Sequence, residues 1–462
     1  MSRFKACSAL LAGLLLASCR TEVSPRQRYE GAAERIYNGD FRGALKDLSA
    51  LIEADPRNSR ALYLRGLAHF QLKNYGRAVA DLSAASTLDP SLAGVRYQVG
   101  VARLELGDPL AALSDFDACL KLRPGSPEVL YQRSAALRVL GLDAEAERML
   151  DEALGVRPDF HPALLARGYL RKSRDDRQGS LSDFDRAIAL RPKDSRGYVG
   201  RAHALWSAGG RENLDKAAAD LTQALELSPG SVDIYPDRAS IHLERYDFDA
   251  AIADLSAAVK FNPRNADLYL KRGRVLRDRA MADQADSGLS LAEADLTRAI
   301  EVAPKQRSAY FFRGNVRALR DDAKGGLEDR QAILRLQPRD PAGFSGLCSA
   351  YVDAEKYEEA RKNCDRAIEL SPRYVDPLRL RCRINRKLKD YAAALKDCDA
   401  AVEYAPWWDD AYYERGMVNL ERKDRPRALA DLEAAARINP RSKATAEALA
   451  DLRATMGKGG RP

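Results

Sequence analysis

Apolar and small residues recur along this chain with a single period. Prolines stand at positions 56, 90, 124, 158, 192, 229, 263, 304, 338, 372, 406 and 440, and nine of the eleven intervals are 34 residues. Twelve places before each proline the residue is small, from Ala44 and Ala78 through Ser180 and Gly326 to Ala428. Five places before it, nine of twelve residues are alanine; eight places before it most are large and apolar, as Leu82, Phe116, Phe184, Leu255 and Leu432 are. Self-similarity at such a period marks a repeat architecture. Helices that cross closely need small side chains at the contact and apolar ones around it. Proline then ends a helix, because it lacks an N–H and disfavours helix in the residue before it. The pattern predicts helices throughout.

The spacing resembles the tetratricopeptide repeat from Pro25 to Pro440, with the proline at place 32 of each unit. That family has small residues at places 8, 20 and 27, and Gly66, Gly100, Gly168, Gly273, Gly314 and Gly416 stand at place 8 here. The chain lacks the aromatic common early in the family's first helix. The resemblance implies an all-α fold: a right-handed superhelical solenoid of about twelve helix hairpins with a C-terminal capping helix. Two units are long. Their extra residues are assigned to turns between the two helices, around Gly209-Gly210-Arg211 and over Met281 to Ser290. Ser24, Pro25 and Gln27 read as a helix start with a capping box. Past Pro440, Ser442 to Met456 can form the cap, because a terminal repeat would otherwise leave an apolar face wet.

The first residues read as targeting and not as fold. Arg3 and Lys5 precede an apolar stretch from Ala6 to Ala17, too short to span a bilayer. It ends in Leu16-Ala17-Ser18-Cys19, which resembles the lipobox of bacterial lipoproteins. That family acylates the cysteine and removes what precedes it. The expected organisation is a lipoprotein signal peptide over 1–18 and a lipidated tether over 19–24. The array of about twelve repeats follows over 25–440, then a capping helix over 441–456 and a disordered tail over 457–462. Arg20 follows Cys19, where enteric lipoproteins kept in the inner membrane carry aspartate. That leans towards the outer membrane, facing the periplasm.

Charge narrows the function classes. Lys+Arg is 75 against Asp+Glu 67, a net +8 that falls to +6 when Arg3 and Lys5 leave. Both signs are interleaved, as on solvated helix faces, with no basic block of the kind that marks nucleic-acid binding. No metalloprotease, phosphate-loop or hydrolase signature is present. His69, His161, His203 and His242 fall in separate units. The expectation is a non-enzyme without metal or cofactor. Place 7 is arginine in nine units, including Arg65, Arg167 and Arg415, and place 23 is acidic in ten, including Asp81, Asp183 and Asp431. A pair repeated in unit after unit reads as structural and not as a ligand strip.

In the tetratricopeptide register, Cys348 and Cys364 occupy places 8 and 24 of one unit, and Cys382 and Cys398 the same places of the next. Those places face each other across the hairpin, so two disulfides are expected; four small buried thiols would fit the same places. The family lines its concave groove with places 2, 5, 9 and 12 of the first helices. Two basic stripes result: Arg274 and Arg277 with Lys271 beside them, and Arg379, Arg383 and Arg386. Arginine suits carboxylate, which points to a protein or an acidic peptide as partner. A solvated face neutralised by Asp267, Asp278 and Asp376 is the competing reading. The resemblance implies a membrane-anchored scaffold in the cell envelope that supports assembly or recruitment of a complex. The alternative is an accessory subunit that binds an anionic polysaccharide or polymer for an envelope export or biosynthesis machine.

Overall fold

The computed structural model describes residues 24–90 and 93–458. The expected signal peptide, Cys19 and the tether up to Val23 lie outside them. Among the described residues there are 25 helices and no strand. They form twelve hairpins, numbered here as repeats 1 to 12, and a last helix, Lys443–Lys458. That helix runs past the expected end at Met456, and residues 459–462, expected as tail, lie outside the described part.

Repeat 2, with helices Ser59–Gln71 and Tyr75–Leu88, shows the usual lengths of 13 and 14 residues. Second helices mostly start on an aspartate. Asp40, Asp108, Asp176, Asp247, Asp322, Asp390 and Asp424 each accept a hydrogen bond from the backbone N–H three residues on. That bond satisfies one of the donors a helix start leaves open. Ser24 and Gln27 make the reciprocal pair of a capping box.

The long repeats differ from expectation. Repeat 8 spends its insertion on helix: Ala266–Asp283 has 18 residues and Asp286–Val302 has 17, with only Gln284 and Ala285 between them. Leu276 and Ala280, just before the stretch assigned to a turn, and Leu289 within it are buried, so the contact between both helices continues past that turn while most of Met281 to Ser290 stays exposed. Repeat 6 does the same on a smaller scale, with a two-glycine turn and a second helix, Arg211–Leu227, of 17 residues.

The chain divides into two compact units, one ending at Ser228 and the other starting at Pro229. The register predicted one unbroken array. At the division the first helix of repeat 7, Ile234–Glu244, is cut to 11 residues. In the first unit the core is built by large residues of second helices seated on glycines. A Cβ at Gly168 would lie 2.9 Å from the Phe184 ring, and one at Gly200 in the next repeat only 2.2 Å from it. Phe184, fully buried, is thus held between two repeats. In the second unit Leu432 sits on Gly416 in the same way.

The arginines of place 7 form fork-to-fork bonds with the aspartates of place 23. In the first unit these are Arg65–Asp81, Arg167–Asp183 and Arg201–Asp220. In the second they are Arg238–Asp254, Arg272–Asp295, Arg313–Asp329, Arg381–Asp397 and Arg415–Asp431. The remaining nitrogen reaches back to place 25 of the preceding repeat. Arg167 meets Asp151 at 2.7 Å, Arg201 meets Asp185 at 2.7 Å and Arg381 meets Asp365 at 2.7 Å. Ser49, Ser256 and Thr297 take the same role for Arg65, Arg272 and Arg313. The hydrogen bonds to Asp220 hold the Arg201 guanidinium above its ordinary value, against the opposing effect of burial.

Asp183 is 1% exposed and bonded by both Arg167 and Arg171. Asp183→Ala is therefore expected to cost about 3–5 kcal/mol, because two partly buried cations lose their most buried carboxylate and keep hydrogen bonds only to Asp151 and Glu147. Asp185→Ala, at the exposed end of the Arg201 bond, is expected to cost no more than about 1 kcal/mol. Urea unfolding of the two variants side by side checks the contrast.

Candidate functional site

Repeat 8 carries the first basic stripe. Lys271 and Arg274 are exposed, while Arg277 is half-buried and donates to Asp278 at 2.8 Å. The Arg274 and Arg277 guanidinium groups lie 4.7 and 5.0 Å from the centre of the Phe312 ring, within cation–π range. Asp267, an expected neutraliser, accepts from Gln306 instead. Lys271, Arg274 and Asp278 stand at a cavity of about 210 Å³ whose apolar wall includes Leu243, Leu255 and Val275.

Repeat 11, whose first helix is Val375–Lys387, carries the second stripe. Here the structure departs from a free basic strip. Arg386 is 7% exposed and donates to Glu414 at 3.2 Å and Glu421 at 2.6 Å. Burial pulls its guanidinium down, but the two glutamates more than offset this and leave it above its ordinary value. Arg379 bonds Asp376 at 2.9 Å and lies 5.1 Å from the Trp408 ring. Only Arg383 keeps a side chain as much as 40% exposed, with Glu414 4.0 Å away. The neutralising glutamates belong to the first helix of repeat 12, Asp409–Glu421, 28 and 35 residues from Arg386. Nothing adjacent to the stripe in sequence announces them.

Repeats 10 and 11 hold the cysteines. Cys348 is joined to Cys364 and Cys382 to Cys398, with Cα separations of 5.3 and 5.5 Å, and all four are fully buried. Repeat 10 has Leu347 at place 7 and Asn363 at place 23, so a covalent bond crosses the hairpin where the ion pair is missing. Cys119 is also buried; burial, with Asp115 adding to it, pushes its thiol up to about 11. It stays protonated at neutral pH and is a poor nucleophile.

His161 is 2% exposed, with no hydrogen bond from the described residues to either ring nitrogen. Burial pushes it, His69 and His242 below the usual imidazole value. They lie in repeats 5, 2 and 7, and no cluster gathers them. Among the described residues no group of three or more His, Cys, Asp or Glu is placed to hold a metal ion. No helix among them is long and apolar enough to cross a membrane.

Helix hairpins repeated with one register, each braced from first helix to second, define a helical-repeat protein. The sequence profile of the tetratricopeptide repeat matches residues 29–93, 237–290 and 347–411, and those stretches are tetratricopeptide repeats. No curated protein matches it. Among similar solved structures is a tetratricopeptide repeat protein from Parabacteroides merdae. It is 22% identical with a TM-score of 0.46, over 54% of this chain and 98% of that one. Yeast Tom70 is 16% identical with a TM-score of 0.43, over 94% and 96%. YrrB, a tetratricopeptide repeat protein with an unusual peptide-binding site, is 24% identical with a TM-score of 0.35, over 42% and 95%.

Two outcomes follow for the second unit. Arg386→Glu places a third carboxylate beside Glu414 and Glu421 and is expected to destabilise the last repeats by at least about 3 kcal/mol. Arg383→Glu should change stability by about 0.5 kcal/mol or less; chemical denaturation separates the two. For the cysteines, alkylation of the unfolded, non-reduced protein should leave Cys348, Cys364, Cys382 and Cys398 unlabelled. Cys348→Ser should lower stability by about 2–3 kcal/mol. Labelling of all four without reductant would show thiols instead.

Proposed function

We propose that this chain is a lipid-anchored scaffold of the bacterial cell envelope that holds protein or peptide partners on the first helices of its repeats. The observation that carries the anchor is Leu16-Ala17-Ser18-Cys19, placed directly before the array. Only Arg20 to Val23 separate Cys19 from the helix cap at Ser24, and at ~3.5 Å per residue the tether reaches less than ~20 Å. The repeats would then work close to the membrane, with several acyl groups making the attachment stable. Two disulfides of ordinary spacing support an oxidising compartment, since cytosolic thiols are kept reduced. Arg20 after the cysteine supports the outer membrane.

A long polyanion is the weaker ligand. It would need a continuous free positive surface, whereas Arg386, Arg379 and Arg277 already have carboxylate partners within the chain. Short contacts to a protein or peptide ask less of the surface.

Replacing Cys19 by Ala should move the mature protein from the membrane pellet to the soluble fraction and abolish palmitate labelling. A variant that still pellets and still labels would overturn the anchor.

A further inference from the structure

Place 24 is the residue that fills each hairpin. It is leucine or phenylalanine in nine repeats and half of a disulfide in repeats 10 and 11. In repeat 9 it is Arg330, on the second helix Ala323–Leu336. The slot around it is made by glycines. A Cβ at Gly326 would lie 3.3 Å from Arg330 Nη1 and one at Gly314 3.4 Å from it, while one at Gly346, in repeat 10, would lie 3.7 Å from Nε. Gly326 occupies a place that is alanine in ten of the twelve repeats. The second helix has given up a methyl group where the guanidinium passes.

The cation is held but not neutralised. Nη1 donates to the Gly326 carbonyl at 3.1 Å and Nη2 to Asn315 Oδ1 at 3.5 Å. Asp329, its neighbour in sequence, is occupied by Arg313 and Arg317. Asp353 and Asp329 act on it only through space, and burial outweighs them, pushing the guanidinium below its ordinary value. The braced arginines behave in the opposite way: carboxylates in contact hold Arg201, Arg238 and Arg381 above theirs. A partly desolvated guanidinium without a carboxylate is costly, and it gains most from an incoming anion. Asn315 stands at place 9, one of the positions expected to face a ligand. Arg330 therefore brings a charge from the second helix across the hairpin to the Asn315 side chain, with Gly346 among the residues near Nε.

We infer that Arg330, with Asn315 beside it, binds an acidic side chain of the partner through its carboxylate. This rests on the reading that the first-helix face carries the partner, and it names the partner's charge. It also moves the anion site away from the arginines of repeat 11, which the chain neutralises itself.

The probes are fluorescein-labelled hexaglutamate and hexaglutamine, titrated against the full chain by anisotropy. Hexaglutamate should bind more tightly than hexaglutamine. Arg330→Leu restores the residue most common at place 24, so it should fold with a Tm equal to or above that of the parent. It should weaken hexaglutamate binding at least about tenfold and leave hexaglutamine unchanged. Arg383→Leu should change hexaglutamate binding by less than about threefold. Equal binding of hexaglutamate by the parent and Arg330→Leu would sink the assignment, as would no preference for hexaglutamate in the parent. A lower Tm in Arg330→Leu would make Arg330 a structural residue and overturn it too. None of these outcomes bears on the Cys19→Ala fractionation, so the two ideas fail separately.

Discussion

A half-buried fork of hydrogen bonds, from an arginine on the first helix to an aspartate on the second, is the constraint around which eight of the twelve repeats are arranged. Either charge alone would be expensive where it lies, as Asp183 at 1% exposure makes plain. Together they satisfy each other in the fork geometry, so the pair helps fix the register of the hairpin. The guanidinium has a nitrogen left over, and it spends that on the preceding repeat, on Asp151, Asp185, Asp365 or Asp399. One side chain thereby fixes a hairpin internally and fixes its stacking on a neighbour. A repeat protein is stabilised by those two kinds of contact.

Departures from the brace show how strongly the structure resists leaving it unmade. Repeat 3 has Val99 at place 7, and its Asp115 is met by Arg103 one turn further on. Repeat 4 has Met149 at place 23, and its Arg133 turns to Asp117 of the repeat before. With Val99 in place of arginine, Ser83, at place 25 of repeat 2, has a buried hydroxyl with no hydrogen-bond partner among the described residues. Repeat 10 lacks both brace residues, and the Cys348–Cys364 bond spans its hairpin. Chemically different links cross the same gap between two helices.

Charge that the brace does not use decides what is available to a partner. Counting basic residues on one helix overstates it, because the next repeat supplies carboxylates from a distance in sequence. Arg386 faces Glu414 and Glu421, and becomes part of the stacking between repeats 11 and 12. Arg330 is the reverse case: a residue at a core position, inconspicuous by its place, left with amide and carbonyl contacts only. Lys271, Arg274 and Arg383 remain as outward charges.

The sequence by itself determined the hairpin and its count, because a 34-residue register of proline, alanine and glycine admits few other packings. Ser180, Ala44 and Gly66 are small for a local reason: a neighbouring helix approaches there. It also determined the Arg65–Asp81 type of pair, whose members share fixed places within one unit. Tertiary structure decided what depends on the neighbouring unit. The second partners Asp151 and Asp185 and the neutralisation of Arg386 involve groups that meet only when repeats stack. It also decided the turns, where Lys73, Asp175 and Tyr246 accept a left-handed backbone that Gly39 and Gly141 adopt freely. That conformation costs roughly 1–2 kcal/mol per residue, and the helices on either side impose it. In repeat 8 it confined the expected turn over Met281 to Ser290 to Gln284 and Ala285, because apolar contact at Leu276, Ala280 and Leu289 carries the two helices up to that point.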